Sequence, residues 1–239
     1  MTSNNTTFVG SKESTSEFAG CDGGDPGSLE QPSIWVFGIE HGTYKSRHDP
    51  NYHEEREDFN YTIETQLKWP YNQKVFKLLA AIKGFDVGDY KSFAEEYQPF
   101  VSMAKGYFKG NIFPYACRNV SDWPPEAAME TGMSKVEYRK WCRLYHFKEI
   151  LRWVETFNPR IFIGVGVSNR SDFAKAFFGF DVGFQEYAFS INNYNKKIYH
   201  NKIGEKILVV VPHLSGTRRG LNSNESIRIA GKFISGLMK

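Results

Sequence analysis

Ser33-Ile-Trp-Val-Phe-Gly-Ile-Glu-His-Gly42 is the stretch on which the fold turns. Ile34 to Phe37, with Ile39, has the length and the β-branched and aromatic content of a buried strand in an α/β sheet. The run stops on Gly38-Ile39-Glu40-His41-Gly42, which puts two ionisable side chains between two glycines. In open α/β sheets, ligands sit beyond the carboxyl ends of the strands. Glu40 is therefore the first candidate for chemistry, and the rest of the chain is searched for what meets it.

Working outward, Lys68 to Ile82 predicts a helix, with Pro70 in its first turn and Val75, Leu78, Leu79 and Ile82 at helical spacing. Gly110 to Ala116 predicts a short buried strand whose one polar residue is Asn111. Lys135 to Phe157 predicts an amphipathic helix with Trp141, Tyr145, Ile150 and Val154 turned inward. Pro159 to Gly166 predicts another strand ending in glycines, and Asp172 to Phe178 a helix. Lys196 to His200 and Lys206 to Pro212 predict two strands, the second apolar throughout like a central one, ending at His213-Leu214-Ser215. Asn222 to Met238 predicts the last helix. Strands alternating with helices imply a three-layer α/β sandwich around a mostly parallel sheet. Residues 1–17 are polar and suit a flexible tail, leaving 18–239 as a single domain.

At 239 residues, with 41% hydrophobic and 24% charged residues, the chain has the composition of an ordinary water-soluble globular protein. A net charge of +3 permits a nucleic-acid partner without requiring one. No apolar run approaches the roughly 20 residues that span a bilayer, and the polar amino terminus carries no visible secretory signal. The expectation is a cytoplasmic protein, with a monomer as the working assumption. Cys21, Cys117 and Cys142 are far apart and lack metal-ligand spacing, so they suit reduced thiols. The stretch Thr43 to Tyr61, with His48 and His53 near Glu54-Glu55-Arg56-Glu57-Asp58, matches no metal template and suits a solvated face. No metal or cofactor is expected. Phe18 to Gly27, with glycines at 20, 23, 24 and 27 around Asp22 and Asp25, is a shaped loop. It either brings Asp22 or Asp25 to a ligand or folds the amino terminus over the sheet edge.

Three strands thus end in polar signatures: Glu40 between its glycines, Asn111, and His213-Leu214-Ser215. A carboxylate, an amide and an imidazole on one rim suit the cleavage of a bond to a heteroaromatic leaving group. The carboxylate orients water or stabilises a developing cation. The amide reads a ring edge, and the imidazole steadies the departing anion. Each residue also has a plain structural alternative: Glu40 as a helix cap, Asn111 bonded to backbone, Tyr71 in the core, His213 at a strand end, and Arg218 with Arg219 as a solvated pair.

The ordered set of motifs resembles the uracil-DNA glycosylase superfamily. Gly38-Ile39-Glu40-His41-Gly42 is similar to its first motif, Gly-x-(Asp/Asn)-Pro-(Tyr/Gly), with His41 in place of the proline. Pro70-Tyr71 resembles its Pro-Phe segment, Asn111 its base-reading asparagine, and His213-Leu214-Ser215 its late His-Pro-Ser loop. The resemblance runs over residues 33–239. It implies a monofunctional DNA glycosylase that hydrolyses the N-glycosidic bond of a flipped-out modified or damaged pyrimidine. Glu40 and His213 would be catalytic. Gly38, Ile39, His41, Gly42, Tyr71 and Asn111 would surround the base, with Tyr71 stacking on it. Ser215, Arg218 and Arg219 would hold DNA. Gly42 stands where the uracil-specific branch has a blocking tyrosine, which implies a pocket open to 5-substituted pyrimidines, such as the bulky cytosines of phage DNA. The iron–sulfur branches use four cysteines, and this chain has three. Two other readings share these residues: a hydrolase of free nucleosides or nucleotides with the same fold, and a catalytically silent sensor of modified DNA.

Overall fold

The computed structural model describes residues 20–42, 61–214 and 218–239. Its sheet has 7 strands: β1 (Cys21–Gly24), β2 (Ile34–Gly42), β3 (Tyr107–Cys117), β4 (Ile161–Val165), β5 (Gln185–Ile191), β6 (Tyr194–Ile203) and β7 (Lys206–Val211). They lie side by side in the order β1-β3-β2-β4-β7-β6-β5. The helices are α1 (Ile63–Gln66), α2 (Pro70–Lys83), α3 (Tyr90–Tyr97), α4 (Pro125–Thr131), α5 (Lys135–Leu144), α6 (His146–Phe157), α7 (Arg170–Phe178) and α8 (Asn224–Leu237).

The centre of the sheet, β3-β2-β4-β7, is parallel. Its margins are antiparallel, with β1 beside β3 on one side and the β5–β6 hairpin beside β7 on the other. The hairpin turns at Asn192 and Asn193, both at positive φ, as a tight two-residue connection requires. β5 has no apolar run, and its signal is the alternation of Tyr187, Phe189 and Ile191 with Glu186, Ala188 and Ser190, as suits an edge strand with one half-buried face.

Alternate residues of β2 feed two cores. Ile34 and Val36 join a core with residues of α2, α3 and α8, while Trp35 and Phe37 join a second core with residues of α5, α6 and α7. The helical layer of α2 and α8 is packed closely enough that a Cβ on Gly231 would stand 2.4 Å from that of Ala81. On the other face, the single helix expected over 135–157 is broken at Tyr145, where φ is −121° and ψ −56°. That break leaves Tyr145 exposed, while Ile150 and Val154 are buried as expected.

The chain leaves β2 for β3 on one side, and β4 is laid down on the other side of β2. The carboxyl ends of β2 and β4 therefore flank the point where successive connections diverge, the place where such sheets open a crevice. Ile39 and Gly166 meet there, and a Cβ on Gly166 would lie 2.6 Å from Ile39 Cδ1. One expectation changes. Residues 38–42 belong to the strand, so Gly42 stands about 13 Å beyond Gly38 at roughly 3.3 Å per residue. Among the described residues, no helix is long and apolar enough to cross a membrane.

Candidate functional site

The register of β2 on β3 places Gly38 beside Asn111. The Asn111 side chain lies across Gly38 so closely that a Cβ there would be 2.5 Å from its Oδ1. Glycine at position 38 is thus required by close approach. The amide nitrogen of Asn111 donates to Asp22 Oδ2 at 2.9 Å. Because a carboxylate only accepts, this fixes Nδ2 toward Asp22 and Oδ1 over Gly38. The Asn111 backbone is held too, its N–H donating to the Gly20 carbonyl and its other side hydrogen-bonded to His146. Burial pushes the His146 imidazole down to about 4, so it is neutral at pH 7.

Tyr71 comes to the same place from the first turn of α2, which Pro70 opens. Its hydroxyl lies 3.7 Å from the point where a Gly38 Cβ would stand. That hydroxyl is buried, and among the described residues it has no hydrogen-bond partner. Burial, and then the neighbouring Asp22 carboxylate, raise the pKa of the phenol, which therefore stays protonated. The ring itself packs against the α2 core and is half-buried.

Asp22, one of the two loop aspartates singled out from the sequence, is the hub of this group. Its side chain is 13% exposed, its Oδ1 lies 3.4 Å from His41 Nε2, and its Oδ2 lies 3.6 Å from Lys109 Nζ. Below it runs a buried polar chain. Lys109 Nζ donates to Asn72, Asn72 to Gln66, and Gln66 to the Tyr61 carbonyl. The glycine-rich segment does cover the sheet edge, with β1 paired to β3, and it also places Asp22 beside Asn111.

Glu40 goes elsewhere. It turns toward α5, where Oε2 accepts from Lys135 at 2.9 Å and Oε1 from Arg139 at 2.6 Å. Its side chain is 6% exposed. The two cations are themselves tied to the preceding loop, Lys135 to the Asp122 carbonyl and Arg139 to the Val120 carbonyl. One turn further along α5, Arg143 grips Asp172 with bonds of 2.7 and 2.8 Å. Lys135, Arg139 and Arg143 recur every four residues, so they form one stripe. Glu40 and Asp172 bind that stripe to the sheet and to α7.

His213 follows β7, three strands from Asn111 and thus about 14 Å across the sheet at ~4.8 Å per strand. Burial of part of its ring, then the nearby Lys74 cation, lower its pKa, which favours the neutral imidazole. Lys74 is one turn beyond Tyr71 on α2, so the opening of that helix carries one residue beside Gly38 and another near His213. The loop beyond His213 is shaped by Lys196, a buried residue of β6. Its ammonium donates to the carbonyls of Arg218 and Gly220 and to Asn222 Oδ1. Arg218 and Arg219 are exposed on that loop, with the Arg218 guanidinium 5.6 Å over the Tyr194 ring.

Of the residues singled out from sequence, the fold gathers Gly38, Tyr71 and Asn111 tightly, with His41 attached through Asp22 and His213 across the crevice. It does not bring Glu40 to them. Ile39 is buried against Gly166, and Gly42 lies further up the strand with nothing among the described residues within 4 Å of a would-be Cβ. Ser215, His48, His53 and the acidic run at 54–58 lie outside the described residues. Two surface cavities lie away from this rim, one against Ile34 and Tyr107 at the amino ends of β2 and β3, the other against Arg170 and Tyr199. Cys21, Cys117 and Cys142 are free, and burial raises Cys142 to about 12. Among the described residues, no group of three or more His, Cys, Asp or Glu side chains could hold a metal ion. No protein-family model matches the chain, and no curated protein matches it.

Proposed function

We propose that the chain is a DNA glycosylase with a uracil-DNA-glycosylase-like sandwich. It would hydrolyse the N-glycosidic bond of a flipped-out modified or damaged pyrimidine and leave an abasic site. The proposed setting is a cytoplasmic monomer acting on DNA. The observation that carries this reading is the paired anchoring above Gly38. Asn111 is held there in one amide orientation, beside the unpartnered Tyr71 hydroxyl, at the carboxyl ends of the central strands. A hydrogen-bond acceptor and a free hydroxyl, fixed in a partly buried cleft, suit the edge of a heterocycle that has left its stack. His213, neutral on the far side, can donate to the base as it departs with negative charge. Arg218 and Arg219, exposed beyond it, suit phosphate contacts.

The test is incubation with duplex and single-stranded DNAs carrying uracil, a thymine mismatch, 5-hydroxymethylcytosine or its glucosylated form. Alkali-labile breaks at the modified position support the reading, and intact strands throughout defeat it. The salt dependence of DNA retention separates DNA from a free nucleoside, because phosphate contacts make affinity fall steeply with salt.

A further inference from the structure

Resting on that reading, we propose that Asp22, in the edge strand β1, is the catalytic carboxylate, and that Glu40 is a structural clamp. The two acids differ in what they have left to offer. Both oxygens of Glu40 are engaged by cations at 2.9 and 2.6 Å. Withdrawing it would strand two positive charges, and with its side chain 6% exposed it offers little access to a water. Asp22 stands on the other side of the sheet, where Asn111, Tyr71 and His41 converge. Its oxygens meet one neutral amide at 2.9 Å, with Lys109 and His41 at the longer distances of 3.6 and 3.4 Å. Those contacts leave lone-pair directions for a further donor.

In the proposed step, a water oxygen bonds to C1′ of the sugar as the bond from C1′ to the base nitrogen breaks. The bonding electron pair leaves on the base. Asp22 accepts the hydrogen bond of the attacking water, takes one of its protons, and faces the positive charge that develops on the sugar. That proton then passes through solvent to the departed base. Asp22 has a second effect through the Asn111 bond, because it keeps Oδ1 directed over Gly38.

The experiment compares Asp22→Asn, Asp22→Gly and Glu40→Gln with the full-length wild type. It follows abasic-site formation under single turnover on whichever of the four DNA probes the wild type cleaves. Asp22→Asn is expected to lose roughly 10²-fold or more in rate, with DNA affinity and thermal melting near those of the wild type. Added formate is expected to restore part of the rate to Asp22→Gly, and because Asp22→Asn keeps an acceptor for the Asn111 amide, its loss of rate separates catalysis from the positioning of that amide. Glu40→Gln is expected to melt lower yet cleave within about tenfold of the wild type. If Glu40→Gln loses the rate while folded and Asp22→Asn keeps it, the assignment is overturned. A rate lost in Asp22→Asn only through weaker DNA binding, with no formate rescue, also overturns it. If the wild type cleaves none of the probes, the glycosylase reading falls, and this assignment falls with it.

Discussion

Asp22 and Glu40 lie on opposite sides of the same sheet, and their surroundings differ in kind. On the α5 side, Glu40 is held by Lys135 and Arg139, and each of those cations also donates to a loop carbonyl. On the α2 side, Asp22 accepts one direct hydrogen bond, from the Asn111 amide, with Lys109 and His41 further off at 3.6 and 3.4 Å, next to a tyrosine hydroxyl that has no partner among the described residues. A buried carboxylate gripped by two cations holds structure together, because moving it exposes uncompensated charge. A carboxylate with unmatched directions beside an orphan hydroxyl carries unsatisfied bonding capacity, and that capacity is what a ligand or a reacting water can use.

The sharpest way to break the comparison is to remove the clamp. Glu40→Ala leaves Lys135 and Arg139 facing each other, half-enclosed and unpaired. It should cost about 3 kcal/mol, the low end for breaking a buried pair, read as a lower urea midpoint at unchanged slope. A loss under about 0.5 kcal/mol, within the range of an ordinary surface substitution, would mean that the clamp is ornamental.

The next test is pH. His146 titrates at about 4 in the fold against 6.5 when unfolded. Between those values the unfolded chain binds the proton and the folded chain does not, so stability falls as pH drops from 6.5 toward 4. The full effect is roughly 3 kcal/mol at 1.36 kcal/mol per unit. His200 and His213 are lowered as well and act in the same direction. Urea titrations at pH 7 and pH 5 should therefore show a slope that His146→Gln reduces. An unchanged slope in that variant would show that other groups govern acid sensitivity.

Gly38→Ala probes the α2 side. The new methyl collides with Asn111 Oδ1, so the amide must leave its place. Overpacking of this kind costs about 1–3 kcal/mol, and the proposed cleavage should be lost along with the Asn111–Asp22 bond. Retained cleavage would show that the amide does not read the substrate.

The smallest effect is expected from Lys196→Met. Losing its ammonium frees three acceptors in the loop that follows His213, at a net cost of about 1 kcal/mol. Faster amide exchange should then appear over residues 218–222, with the rest of the sheet unchanged.

Much of the architecture was legible in the residues. The short, β-branched and aromatic apolar runs over Ile34–Phe37 and Ile207–Val211 marked central strands, whose burial on both faces demands continuous hydrophobicity. Pro70 and the helical spacing of Val75, Leu78, Leu79 and Ile82 marked α2. Asn111 stood out as the polar residue of an apolar strand. Less legible was β1, an edge strand of Cys, Asp and two glycines, while β5 carried a period-two signal in Tyr187, Phe189 and Ile191 that a search for apolar runs passes over. The Tyr145 break was also unreadable, since the apolar spacing runs through it.

What the chain's order of residues could establish was a set of chemistries and the strands that bear them, because hydrophobic pattern and local propensity act over a few neighbouring positions. It could not say which side of the sheet each side chain takes past Gly38, where the continuing strand and its irregular pairing with Cys117 turn Glu40 toward α5. Nor could it bring Asp22 to Asn111, 89 positions further along the chain. Those outcomes depend on register and on which distant charges are close enough to pair, and both are settled only when the sheet is assembled and its two faces are covered.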